Sequence, residues 1–208
     1  VLGGPRRGLY STKFLGLNDK GVPTFENGEG ETVFELDLQE RSGLATTLIY
    51  EGPNEPRGAG GLTNTLNYKN FSFSFLLSFK YDYKIRLNDS FFSYYSDFDA
   101  LPGDLKNRWA VPGDENLTNI PVILDQGIAQ TGSAIENAYD LYNKSSVRVA
   151  NGDYIRLKTA RLSYQLPATW ASRVGFSNAN ISLEGQNIAL LYADKALNGQ
   201  DPEFFSSG

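Results

Sequence analysis

The chain has 208 residues, a formal net charge of −5 and no Cys, Met or His, set against 21 Gly, 13 Phe and 12 Tyr. Without His or Cys the common general base, the usual nucleophile pairings and most zinc or iron sites are missing, which argues against an enzyme and leaves no obvious cofactor or metal site. There is no Lys/Arg-rich block to track a nucleic-acid backbone, and no disulfide framework can form.

The opening Val1-Leu2-Gly3-Gly4-Pro5 has no signal-peptide pattern, and no run of about 18 apolar residues occurs. The longest apolar passages are strand-like, leaving a soluble β protein or a transmembrane barrel. Residues 1–61 are rich in turn residues, with Asn18-Asp19-Lys20-Gly21 and Asn27-Gly28-Glu29-Gly30 as the clearest signals. Only Thr32 to Leu38 alternates, so this section reads as an elaborated loop with one short strand.

The next section is a hairpin over 62–83. Leu62, Leu66 and Tyr68 are apolar at even positions, whereas Phe71, Phe73, Phe75, Leu77 and Phe79 are apolar at odd ones. A two-residue turn at Lys69-Asn70 resolves the conflict by making Tyr68 and Phe71 a cross-strand pair, with Asn70 expected to take the positive φ. The opposite row is Thr63, Thr65, Asn67, Ser72, Ser74 and Ser78, with Leu76 the exception. The aromatic row continues to Tyr81 and Tyr83, and the polar row to Lys80, Asp82 and Lys84. Aromatic residues at both ends of an apolar band are the pattern of a membrane-crossing strand, and a hairpin of a soluble β-sandwich fits equally well.

Residues 84–150 form a long excursion with an aromatic cluster (Phe91, Phe92, Tyr94, Tyr95, Phe98) and a short helix near Ser133 to Asn143. Such loops are usually functional. A strand pair follows over 151–192. Ala160, Leu162, Tyr164 and Leu166 alternate with Thr159, Arg161, Ser163 and Gln165, and Ile181 and Leu183 alternate with Asn180, Ser182, Glu184 and Gln186. The pattern slips at Lys158 and near Gly185, which predicts bulges.

Several short tags in a fixed order carry a resemblance: Gly60-Gly61-Leu62-Thr63-Asn64-Thr65, Tyr68-Lys69-Asn70-Phe71, Arg108-Trp109 with Pro112-Gly113-Asp114, Asn151-Gly152-Asp153-Tyr154-Ile155-Arg156, Gly185-Gln186-Asn187 and Gly199-Gln200-Asp201-Pro202-Glu203. Together the chain resembles the carboxy-terminal part of the SusC/RagA family of TonB-dependent outer-membrane transporters. The resemblance implies an all-β fold of antiparallel strands from a barrel of about 22 strands, a multi-pass protein of the bacterial outer membrane with long extracellular loops at 1–61, 84–150 and 193–208. It implies a SusD-like surface lipoprotein as lid, a TonB complex for energy, and glycan or peptide oligomers as cargo. About four strands cannot close a barrel, so a fragment is expected, lacking the plug, the early strands and the last strand.

On that reading Phe71, Phe73, Phe75, Phe79, Leu162 and Tyr164 face lipid, and Ser72, Ser74, Arg161, Ser163, Gln165, Glu184 and Gln186 face the lumen. Arg156 and Lys158 fall on the outward row, near headgroups, and Ala168 to Asn178 is a periplasmic turn. Tyr94, Tyr95 and Trp109 are candidates for substrate or lid contact, or for packing the loops on each other. Asp97, Asp99 and Asp104, with Asp201 and Glu203, read as solvated acidic loops before Ca²⁺ ligands. The rival reading is a soluble β-sandwich that binds carbohydrate.

Overall fold

The structure, a computed structural model, describes residues 5–36, 46–98, 100–124 and 133–204, the side chains of 133, 134 and 174 excepted. In chain order the described strands are β1 (Gly8–Thr12), β2 (Phe14–Leu17), β3 (Pro23–Glu26), β4 (Thr32–Val33), β5 (Leu48–Pro53), β6 (Gly58–Tyr68), β7 (Phe71–Tyr81), β8 (Lys84–Arg86), β9 (Val149–Asn151), β10 (Tyr154–Gln165) and β11 (Asn180–Ala193). The helices are α1 (Ser133–Asn143) and α2 (Ala168–Ala171). They divide into two compact units. A sheet unit is built from Pro56–Tyr83 and Asn151–Asn198, and a mixed unit from Val1–Glu55, Lys84–Ala150 and Gly199–Gly208.

The mixed unit is a correction to the expected loops. Among the described residues, 1–61 hold five short strands and the start of β6 where one strand is expected: β1 pairs with β5, and β2, β3 and β4 form a meander. The two Asn-x-x-Gly signals are its turns. Asn18 Oδ1 accepts from the N–H of Lys20 and of Val22, each at 2.9 Å, and Asn27 Oδ1 accepts from Glu29 and Glu31 at 3.0 and 2.8 Å. Each turn ends on a glycine with positive φ, +75° at Gly21 and +84° at Gly30, where a side chain would strain the backbone. The strand expected over Thr32 to Leu38 stops at Val33, and its last two residues lie outside the described residues.

The core of this unit gathers Val22, Phe25, Leu36, Phe91, Leu105, Ala138, Leu141 and Tyr142. Helix α1 spans the residues expected from the sequence, and Ala138, Leu141 and Tyr142 lie at i, i+3, i+4 on its inward side. The Tyr142 ring meets Phe14 and Phe91 edge-on at 5.4 and 5.3 Å, and its hydroxyl donates to the Asn119 carbonyl at 2.9 Å. Asn143, also buried, accepts from the N–H groups of Ser90 and Phe91 and donates to the Phe91 carbonyl at 2.6 Å. One side chain thereby replaces the ladder bonds that irregular backbone at 90–91 lacks.

The sheet unit is one antiparallel sheet in the order β11-β10-β7-β6. The hairpin turn is at Lys69-Asn70, with Tyr68 opposite Phe71. Lys69, not Asn70, takes the positive φ, 52°. Asn70 instead stitches the turn to the end of β10. Its side chain donates to the Gln165 carbonyl at 2.8 Å, while its own carbonyl accepts the Gln165 N–H at 2.8 Å. At the other end, β7 stops at Tyr81 because Asp82 adopts φ 60°. Tyr83 therefore leaves the aromatic row. It is buried, its ring over Gly152, where a Cβ would come within 2.4 Å.

Leu141→Ala should cost about 2–5 kcal/mol, because the helix cannot collapse into the gap, and limited proteolysis within 84–150 would register it. Burial pushes the Tyr142 phenol up to about 12. A raised phenol favours the neutral folded form, so its contribution is complete below the ordinary value near 10 and is lost as pH rises toward about 12. Thermal melts of the mixed unit should decline over that window, and less steeply in Tyr142→Phe.

Candidate functional site

The strand register sorts the sheet side chains into two faces. Leu183, Leu162, Phe73 and Leu66 are successive partners across β11, β10, β7 and β6, and so are Ile181, Tyr164, Phe71 and Tyr68. Partners directly opposite share a face. Phe75 and Phe79 belong to the same face, and Phe71 and Tyr164 pack at 4.6 Å between ring centroids. Glycines let the rings lie flat. Gly60 faces Phe79 and Gly58 faces Tyr81, and a Cβ on either would come within 2.6 Å of the ring. The other face pairs Ser182, Ser163, Ser72 and Asn67, then Glu184, Arg161, Ser74 and Thr65, with Gln165 opposite Asn180 and Gln186 opposite Thr159. The sorting has exceptions: Asn64 stands among the aromatics, and Leu76, Tyr154 and Leu190 stand on the polar side.

Among the described residues much of the apolar face is left exposed: Leu183 is 76% exposed, Leu66 59% and Leu62 53%. A patch of that extent marks a surface meant for an apolar neighbour.

Both ladders of β10 step from Leu157 to Thr159, so Lys158 is the inserted residue of a bulge. β11 slips at Asn187-Ile188, where Asn187 has φ 52°, and a second slip skips Leu191. The Lys158 bulge inverts the alternation beyond it. Ile155 and Leu157 join the aromatic face opposite Phe79 and Leu77, while Arg156 falls opposite Ser78 on the polar one. Arg156 is 4% exposed, donates to Asn187 Oδ1 at 3.0 Å and lies 5.9 Å from the Tyr154 ring. The expectation that Arg156 stands on the outward row is overturned by that inversion.

In the mixed unit a cleft of about 550 Å³ is lined by Asp89, Ser90, Phe92, Tyr94, Tyr95, Ala100, Leu101 and Pro102. Tyr94 and Tyr95 come together here. Tyr95 is a fixed wall, its hydroxyl donating to the Ser90 carbonyl and accepting the Phe92 N–H at 3.1 Å, with the Phe92 ring edge-on at 5.6 Å. Tyr94 is 43% exposed and presents its ring. Trp109 does not line this cleft. It is 9% exposed, donates from Nε1 to Glu115 at 3.0 Å and lies over Gly21, where a Cβ would approach within 2.6 Å. The Trp109 bond, with backbone N–H donors, holds the Glu115 carboxyl below the ordinary range.

Two arginines, Arg148 buried and Arg86 half-buried, carry no signal in the sequence, because charge in a loop ordinarily means solvent. Arg148 lies 4.8 Å from the Phe91 ring and donates to the Asn88 carbonyl at 2.8 Å, and Arg86 donates to the Tyr10 carbonyl at 2.6 Å. Burial lowers both guanidinium pKa values. Of the acidic residues, Asp201 accepts the Glu203 N–H at 2.9 Å, and Asp99 lies outside the described residues. Among the described residues no group of three or more carboxylates is arranged for a metal ion.

No protein-family model matches the chain. TonB-dependent receptor P26 of Formosa agariphila is 33% identical over 146 residues, covering 69% of this chain, and TonB-dependent receptor P3 of the same organism is 25% identical over 174 residues, covering 84%. The chain belongs to the TonB-dependent receptor family. It spans 13% and 15% of the length of those two receptors. The fold agrees. The RagAB peptide transporter structure superposes on 93% of the chain with a TM-score of 0.61 at 18% identity, and the RagAB peptide importer in its open-open state gives 0.59. The four long strands of this TonB-dependent receptor segment pair antiparallel, as the resemblance to the SusC/RagA family read from the sequence implies. Its long described strands form an open sheet of four.

In the receptor, Trp109→Ala should cost about 3–5 kcal/mol, as for other buried aromatics, and expose residues 103–124 to protease. Tyr94→Ala should change stability by less than about 0.5 kcal/mol. Equal protease resistance of the two variants would contradict the distinction between a buried pin and an exposed ring.

Proposed function

We propose that this chain supplies barrel wall and outer loops to a SusC-like importer that takes up glycan or peptide oligomers, with a SusD-like surface lipoprotein as lid and the TonB complex as energy source. The observation that supports it best is the asymmetry of the sheet's two ends. Gly58 pairs with Tyr81, Lys80 with Tyr154 and Tyr154 with Ala193, so all four connections to the rest of the chain leave from one end. The opposite end has only the two-residue turn and the short connector holding α2. Outer-membrane barrels have this form, with short periplasmic turns and long extracellular loops. Strands of 11 to 14 residues also suffice for a tilted crossing.

In this reading Phe71, Phe73, Phe75, Phe79, Leu162 and Tyr164 meet lipid. Ser72, Ser74, Arg161, Ser163, Gln165, Glu184 and Gln186 line the aqueous side. The mixed unit is extracellular, and the Tyr94–Tyr95 cleft is where cargo or lid would touch it, Trp109 serving the fold. The chemistry is binding and passage, without catalysis. A soluble sandwich would need a second sheet about 10 Å over the aromatic face, and among the described residues the sheet unit holds one sheet.

The test compares neighbours on opposite faces in the intact gene product. Phe75→Lys should lose about 2–4 kcal/mol at mid-membrane and empty the outer membrane of heat-modifiable barrel, while Ser74→Lys should assemble at normal levels. Equal tolerance of both, or a protein soluble without detergent, would overturn the membrane reading.

A further inference from the structure

We propose that the short-turn end of the sheet is a binding collar for the phosphate headgroups of anionic phospholipid, an inference that rests on the membrane reading above. The hairpin turn, the end of β10 and the connector to β11 meet there through the Asn70–Gln165 bonds and through Leu166 N–H donating to the Ala179 carbonyl at 2.9 Å. Four exposed aromatic side chains and two exposed cations lie on the turn and the connector at this end. Tyr68 is 70% exposed, Trp170 59%, Phe176 60% and Phe71 49%, and Lys69 and Arg173 are the cations.

Local structure fixes these groups. Lys69 is held by its positive φ and by its ammonium 5.4 Å from the Tyr68 ring centroid. Trp170 and Arg173 are three residues apart on one helical turn, which places them on the same side. That turn is anchored by Ala171, fully buried, and closed by Phe176 N–H donating to the Ala171 carbonyl at 3.0 Å and by Gly175 at φ +81°.

Charge complementarity decides the occupant. No Asp or Glu occurs from Leu62 to Tyr81 or from Leu162 to Leu183. The sheet unit as a whole has eight basic and four acidic residues, a net +4, whereas the rest of the chain has 11 and 20, a net −9. Amphipathic aromatics seek the interfacial layer of a bilayer, and cations beside them meet phosphate there. An acidic protein surface would satisfy Lys69 and Arg173 but would leave Trp170 and Phe176 without an apolar neighbour.

The intact gene product, purified in detergent, is exchanged into nanodiscs of phosphatidylcholine mixed with phosphatidylglycerol, and native mass spectrometry reads the retained lipid. Phosphatidylglycerol should be retained in preference. Lys69→Gln with Arg173→Gln should cut that preference by about twenty-fivefold, roughly fivefold per cation. For a variant that fails to assemble, the wild-type protein serves instead, its preference falling between about 0.1 M and about 1 M salt as screening shortens. Equal retention of the two lipids, a preference unaltered in the double variant, salt insensitivity, or displacement of the lipid by inorganic phosphate would overturn the collar. A protein that retains neither lipid and needs no detergent would overturn the membrane reading itself, so the two failures are distinguishable.

Discussion

The sheet depends on one inserted residue in an inner strand. β10 lies between β11 and β7, so a slip in it must be accommodated on both sides at once. Lys158 is that slip, and both ladders step over it between Leu157 and Thr159. Because side chains alternate with period two, one extra residue exchanges the faces of everything beyond it. Ile155 and Leu157 thereby keep the apolar face continuous with Phe79 and Leu77, and Arg156 is delivered to the polar face. Asn187 answers from β11 with its own bulge and accepts the guanidinium. Without the slip, the guanidinium would stand on the apolar face, opposite Phe79.

The mixed unit solves a different problem. Segments far apart in sequence contribute backbone with few ladder bonds, and buried backbone groups without partners are costly. Side-chain amides and two guanidinium groups take over: Asn143 at 90–91, Arg148 at the Asn88 carbonyl, Arg86 at the Tyr10 carbonyl. Tyr142 gives the unit its centre, with rings on two sides and its hydroxyl satisfied. The same arrangement holds Tyr95 as one wall of the aromatic cleft, so the cleft's shape is a by-product of how the loops satisfy their own polar groups.

Much of the sheet is legible in the sequence because alternation is a local signal. The hairpin, its cross-strand pair, the strand pair and the slip at Lys158 all follow from period two. Long-range consequences do not. The slip itself is visible, yet simple alternation still assigns Arg156 to the outward row, because the pattern alone does not say on which side of the bulge the parity changes. Alternation likewise extends the aromatic row to Tyr83, since nothing in the sequence marks Asp82 as the residue of positive φ. In the mixed unit the turns are legible as Asn-x-x-Gly, but the strands between them are four or five residues long and nearly lack alternation. Such strands exist through partners distant in sequence, as with β1 and β5. Trp109 is the instructive intermediate: its identity leaves ligand contact and loop packing both open, and Gly21, 88 positions earlier, makes the space that buries it.

The bulk charge of −5 conceals a partition that bears on how each unit meets its surroundings. Carboxylates are almost absent from the long strands, Glu184 being the exception. They are concentrated in the mixed unit, where water can solvate them. The two units therefore use the same aromatic-rich composition under opposite rules. In one, Phe and Tyr turn inward and polar backbone sets their positions. In the other, they turn outward because the polar groups need the opposite face, and because the backbone is already satisfied within the ladder. A strand whose hydrogen bonds are complete is free to present apolar side chains to an apolar medium. That freedom belongs to the inner strands β7 and β10, and it lets Phe73 and Leu162 stand uncovered.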